Sequence, residues 1–127
     1  SSAASDVYKR QIMLRKVPKH VRVYEISGPM FFGAADRIAT ISVKDFTRCL
    51  VIRMRAVNAL DATAMHSLEE LYDKLSKKHI AVVFSHVNEQ PMHVMQKAGF
   101  VEKVGSENFC AHIDEALERA AGFDSND

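Results

Sequence analysis

The sequence predicts an α/β domain with parallel strand pairs inside a mixed sheet of four to five strands, packed with about four helices. Three observations carry that expectation. Leu50–Val57 is a dense run of apolar and β-branched residues, followed by a polar break at Asn58–Asp61 and a long amphipathic pattern reaching Lys78. Ile80-Ala81-Val82-Val83-Phe84 is wholly apolar between polar flanks, as a strand covered on both faces would be. Strand-like and helix-like periods then alternate along the rest of the chain.

In chain order, Ile12–Lys19 reads as a linker, and Val21–Ile26 alternates as a first strand. Ser27-Gly28-Pro29 ends it, Met30-Phe31-Phe32 is a short apolar run, and Gly33 opens a helix expected from Ala34 to about Asp45, with Ile38 and Ile41 inward. Leu50–Val57 is the organising strand. In the helix that follows, Met65, Leu68, Leu71/Tyr72 and Leu75 recur at three- and four-residue steps. Asp61 stands where an N-cap belongs, and Lys77, Lys78 and His79 stand where the helix dipole favours cations. Glu70–Lys74 and Asp73–Lys77 are acid-before-base pairs four apart, each expected to add roughly 0.3–0.5 kcal/mol.

Ile80–Phe84 is the central strand, and Ser85–Gln90 a loop in which Asn88 is a candidate cap. Pro91 is acceptable in the first turn of the next helix, whose stripe is Met92, Met95 and Ala98 and whose end is Gly99. Phe100–Glu107 reads as a turn-rich connection, Phe109–Ala111 as a last edge strand, and Ile113, Ala116/Leu117 and Ala120 as a final helix closed by Gly122. The expected domain is 20–122, with 123–127 a polar tail.

Ser1–Gln11 look foreign. They match an in-frame translation of a transposon-end adapter used in sequencing libraries, which would make the source a metagenomic fragment whose natural beginning lies upstream; the alternative is an ordinary polar N-terminal tail, and in neither reading does it carry function. Setting that tail aside removes Asp6, Lys9 and Arg10 and leaves equal numbers of acidic and basic residues. No basic block interleaves with aromatics, so nucleic acid is not an expected partner. Cys49 and Cys110 lie far apart and read as small buried thiols, not as a disulfide framework. No apolar run approaches the roughly 20 residues of a membrane helix.

The motifs of common chemistry are missing: no Walker A loop, no GxGxxG and no GxSxG elbow. The histidines form no HExxH and no close pair. His79, His86 and His93 are expected on a strand, a loop and a helix, so no metal site is expected. Asp61, Thr63 and His66 are the nearest thing to a catalytic group, but His66 falls more than a turn past the cap. No nucleophile–base pair is on offer, and no enzyme is expected.

Gly28-Pro29-Met30-Phe31-Phe32-Gly33-Ala34-Ala35 resembles a stretch of the cytosolic C-terminal domain of SulP-type anion permeases. Val57-Asn58-Ala59-Leu60-Asp61-Ala62-Thr63-Ala64-Met65, followed by Leu68 and Leu71, resembles the same domain's strand–Asp–helix signature. This is the STAS domain, shared with bacterial anti-sigma factor antagonists, and the resemblance covers Val21–Ala121. It implies the STAS fold and a regulatory, protein-binding role in a transporter of sulfate, bicarbonate or a dicarboxylate, at the cytoplasmic face of the bacterial inner membrane. The implied partners are an upstream transmembrane permease domain of the same chain, a second copy in a homodimer, and a cytosolic regulatory protein.

The implied contact residues are Asn58, Asp61, Ala62, Thr63, Met65 and His66. Of Phe31 and Phe32, the favoured reading is core, one ring anchoring the first helix to the sheet; the alternative is that the other is exposed for docking against a neighbouring chain or the membrane domain. In the antagonists the residue after this Asp is a phosphorylated serine or threonine. Here it is Ala62, so the phospho-switch is expected to be missing from its usual place, with Thr63 the nearest alternative hydroxyl. The alternative function, a free-standing antagonist-like adaptor in a partner-switching pathway, would need that switch. No cofactor is expected. A nucleotide or anion at the helix N-terminus is the weaker alternative, because the Asp61 carboxylate competes for the same donors.

Overall fold

Leu50 and Ile52 point to one side of the organising strand, and Cys49 and Val51 to the other. All four are fully buried. A strand covered on both faces loses the apolar–polar alternation, which is why this stretch reads as continuous hydrophobe. The computed structural model describes residues 17–31, 37–38 and 40–123. Its strands are β1 (Val21–Glu25), β2 (Cys49–Arg53), β3 (Ala81–Ser85) and β4 (Phe109–Cys110), lying in the order β1-β2-β3-β4. Every pairing is parallel, with Val21, Cys49 and Ala81 in register. The antiparallel member of the expected mixed sheet is not among the described residues.

Helix α1 (Ala62–Lys77) crosses from β2 to β3; α2 (Glu89–Lys97) and the short α3 (Phe100–Val104) cross from β3 to β4. They cover the face carrying Leu50, Ile52, Val82 and Phe84, burying Met65, Leu68, Leu71, Leu75, Met95 and Phe100. Helix α4 (Ile113–Ala121) covers the other face, where Ile113, Ala116, Leu117 and Ala120 meet Val21, Cys49, Val51 and Val83. Truncating one of the large buried side chains, such as Leu68, would cost about 2–5 kcal/mol.

Several elements differ from the sequence expectation. Arg37 and Ile38 are helical, but the chain leaves the helix at Thr40 and does not run on to Asp45; residues 32–36 and 39 lie outside the described residues. The Thr40 hydroxyl donates to the Arg37 carbonyl at 2.9 Å, and Ile41 N–H turns back to Ile38. Thr40-Ile41-Ser42-Val43 is a run of weak helix formers that does not carry the helix further. Ile38 and Ile41 are nevertheless buried, as expected.

Strand β2 stops at Arg53 and does not reach Val57. Met54 N–H donates to Ser85 O, and a turn closes from Val57 N–H to Met54 O, both at 2.9 Å. The connection read as loop at Phe100–Glu107 holds α3 and a 3₁₀ turn at Ser106–Asn108. Phe100 and Val104, four apart, are both buried. Phe84 pins this region, stacking on Phe109 at 5.0 Å and meeting Phe100 edge-on at 5.6 Å. Gly99 adopts φ 74° beyond the end of α2, the left-handed stop expected of it, whereas Ala98 is exposed and not part of the stripe.

Smaller differences concern polar side chains. Glu70 pairs with His66 at 3.0 Å, and Asp73 with Lys103 at 2.9 Å, in place of the lysines four residues on. His79 sits in the turn before β3 with φ 60°, not on the strand. Cys49 and Cys110 are unbridged, the first buried and the second half-buried.

Candidate functional site

A parallel sheet gathers all its carboxyl ends on one edge, and the loops that leave them form a common surface. Here Glu25, Arg53, Ser85 and Cys110 mark that edge. Glu25 draws together Arg53 at 3.7 Å and Arg55 at 2.9 Å, so two guanidinium groups and one carboxylate tie the end of β1 to the turn after β2.

The segment Asn58–Thr63 is held from both sides. Met30 and Leu60 form a single parallel bridge: Met30 N–H donates to Ala59 O at 2.9 Å, and Asp61 N–H donates to Met30 O at 3.0 Å. On the other side the Gln90 amide brackets Leu60. Its Oε1 accepts from Leu60 N–H at 2.9 Å, and its Nε2 donates to Leu60 O at 3.3 Å. Leu60 thus occupies the middle of a three-membered strip of sheet whose third member is a side chain. Asn88 adds a second clamp, its Nδ2 donating to Val57 O at 2.8 Å and to Arg55 O at 3.1 Å.

Asp61 then caps α1. Its extended backbone turns the chain, and its Oδ1 accepts from Ala64 N–H at 2.9 Å. The N-cap expectation therefore holds at Asp61. It does not hold at Asn88, which occupies the cap position of α2 but turns its amide to the β2 turn instead.

The structure separates the expected contact residues. Asn58, Ala62, Thr63 and His66 are exposed together around the start of α1. Met65 is buried in the core beneath them. Phe31 is 50% exposed, and Phe32 lies outside the described residues. Asn88, Gln90 and Met30 are the site residues the sequence does not reveal, because each acts through a backbone partner some thirty positions away.

Chemically, the edge presents a fixed backbone with small side chains at its apex. The Asp61 carboxylate is engaged by the helix it caps, and His66 is paired with Glu70 on the exposed side of the first turns. Among the described residues, none at the apex pairs a nucleophile with a base. The Asn88 and Gln90 side chains and the Met30 bridge hold the segment in one shape.

Sequence comparison agrees with this architecture. The STAS domain family model matches residues 11–116. This chain belongs to the STAS domain family. The STAS domain is similar to a sulfate transporter family protein of Wolinella succinogenes, with 35% identity, a TM-score of 0.78, and coverage of 86% of this chain and 91% of that one. It is also similar to the SulP transporter STAS domain of Vibrio cholerae, with 29% identity, a TM-score of 0.71, and coverage of 94% and 95%. YvdB of Bacillus subtilis, which carries a sulfate-transporter name, is 24% identical over 107 residues, 82% of this chain. The STAS domain spans only 20% of that relative's length.

Proposed function

We propose that this STAS domain is the cytosolic regulatory and interaction module of a SulP-type anion transporter, assembling and regulating it through protein contacts without catalysing a reaction. The observation that carries this reading is the likeness to the Vibrio SulP transporter domain, which extends over nearly the full length of both chains. In this reading the domain lies at the cytoplasmic face of the bacterial inner membrane and follows a permease domain in the same chain. A second copy of the domain or a cytosolic regulator would be a further partner.

The exposed apex at Asn58, Ala62, Thr63 and His66 is the contact surface, and the Asn88 and Gln90 clamps keep it in one shape. A constitutive contact suits Ala62, which offers no hydroxyl where the phosphorylated antagonists carry one. Docking on a preorganised loop avoids most of the ordering cost of binding.

The test is the natural gene upstream of Ile12. Ten or more membrane-length apolar stretches ending shortly before it would support the transporter reading. A start codon within a few residues of Ile12 would refute it and leave a free-standing adaptor, to be assayed against soluble kinases and anti-sigma factors.

A further inference from the structure

The opposite edge of the sheet, where the parallel strands begin, has a different chemistry. The register that aligns Val21, Cys49 and Ala81 brings the segments before them to one end of the molecule. Arg48 N–H donates to His20 O at 2.7 Å, and Ala81 N–H donates to Arg48 O at 2.9 Å, so these lead-ins lie side by side. Lys19, His20, Phe46 and Arg48 line one open hollow there. Lys44 precedes Phe46 in the same turn, closed by Thr47 N–H to Lys44 O, and Lys77 and Lys78 end α1 just before β3.

Two features set this edge apart. Phe46 is 57% exposed, more than Phe31, the other large exposed hydrophobe among the described residues. Lys19, His20 and Arg48 line the hollow with Phe46, and Lys44 opens its turn. The Arg48 guanidinium is held in place by the carbonyls of Asp45 and Thr47 at 3.1 and 3.0 Å. The chain carries 17 basic and 16 acidic residues, so a basic end is a segregation of charge and not a reflection of the whole. An exposed aromatic beside lysine and arginine is the pattern that binds at the boundary between anionic headgroups and acyl chains.

We propose that this edge is a contact surface for an anionic phospholipid bilayer. The inference rests on the transporter reading for its direction. The chain enters the domain at this same edge, through Val17 and Pro18. A membrane segment ending near Ile12 would therefore leave at most about 30 Å of extended chain between the bilayer and β1. The apex at Ala62 would then face away from the membrane, free for other partners.

The experiment is vesicle co-sedimentation of the 127-residue chain. Phosphatidylcholine vesicles are compared with vesicles in which about one lipid in three is phosphatidylglycerol. Binding is expected on the anionic vesicles alone, with release at about 1 M salt, where the screening length falls to roughly 3 Å. Lys44→Glu and Lys19→Glu should each lower the partition coefficient at least about fivefold, the factor lost when one basic contact near an anionic surface is removed. Phe46→Ser should also weaken binding, and Ala62→Asp, at the other pole, should leave it unchanged. Circular dichroism confirms that each variant is folded.

Equal binding to both vesicle types, or full binding by the lysine variants, would overturn the proposal. So would indifference to vesicles combined with lysine-dependent binding to the detergent-solubilised permease domain, which would make the edge a protein contact. The upstream gene reports on the transporter reading separately. Membrane spans without vesicle binding sink only this proposal, and vesicle binding without spans sinks only that reading.

Discussion

Replacing Gln90 with alanine tests whether the apex is held by side chains or merely lies against them. The substitution removes the bonds to Leu60 N–H at 2.9 Å and to Leu60 O at 3.3 Å, and leaves the Met30 bridge on the other side intact. A net hydrogen bond in a partly buried setting contributes about 0.5–1.5 kcal/mol, and the 3.3 Å member belongs at the low end. The expected loss is about 1–2 kcal/mol. With a urea m-value near 2 kcal/mol/M, the midpoint should fall by roughly 0.5–1 M at unchanged slope.

Gln90→Glu is the sharper control. It keeps an acceptor for Leu60 N–H but turns a carboxylate toward Leu60 O, so it should be no more stable than the alanine variant at neutral pH and should recover as the carboxylate is protonated. Amide hydrogen exchange at Leu60 gives a local reading, and its protection should drop in the alanine variant by more than that of β3. A midpoint shift below about 0.2 M, with Leu60 still protected, would show that the Met30 bridge alone holds the loop, and the clamp argument would fail.

Three further outcomes follow from the same geometry. Asp61→Ala removes the cap on Ala64 N–H and should cost about 1 kcal/mol, lowering Tm by roughly 4–8 °C in thermal unfolding, whereas Asp61→Asn should retain most of the stability. Ala62→Asp places a carboxylate in the exposed first turn of α1, where the dipole favours it. Stability should change by less than about 0.5 kcal/mol while affinity for the permease domain falls, and unchanged affinity by calorimetry would remove Ala62 from the contact surface. Burial pushes the Cys49 thiol from 9.0 up to about 12, and the Cys110 thiol is also raised by its burial. The folded chain therefore holds the Cys49 proton where the unfolded chain has lost it. That contribution is complete below about pH 9 and is lost as pH rises toward 12. Alkaline unfolding of Cys49→Ala should show a shallower pH slope than the parent, and identical slopes would argue against a neutral buried thiol.

The parts of the fold legible in the sequence were those whose burial is written in consecutive residues. β3 and the apolar core of β2 are covered on both sides, so no polar position interrupts them, and α1 shows one buried stripe with a cap at its head. Strand β2 is shorter than its apolar run because Val57 is buried without belonging to the ladder; burial alone does not say which backbone groups pair. The helix expected as far as Asp45 stops earlier for a local reason, the weak helix formers from Thr40 to Val43. Asn88 shows a different limit. Its position suits a cap, and only the backbone of the β2 turn, brought up by the parallel register, explains why the side chain turns elsewhere.

That register also gives the two poles their character. Parallel strands start together and end together, so one end of the sheet collects every lead-in and the other every exit. Lys19, Lys44, Arg48 and Lys78 are scattered along the sequence and form no run that charge patterning would detect. They share an end because β1, β2 and β3 begin in step. At the exits, Asn88 and Gln90 reach the β2 loop because β3 lies beside β2 and releases its chain at the same level. A slip of one residue between β2 and β3 would reverse which faces Val82 and Val83 occupy, placing side chains sized for one helix layer against the other. It would also move Asn88 and Gln90 by about 3.3 Å relative to the carbonyls they hold. The two hydrophobic layers therefore fix the register, and the register in turn fixes both the clamped apex and the basic edge. Substitutions that loosen the packing of Val82 or Val83 should disturb both poles together, whereas Gln90→Ala should disturb only one.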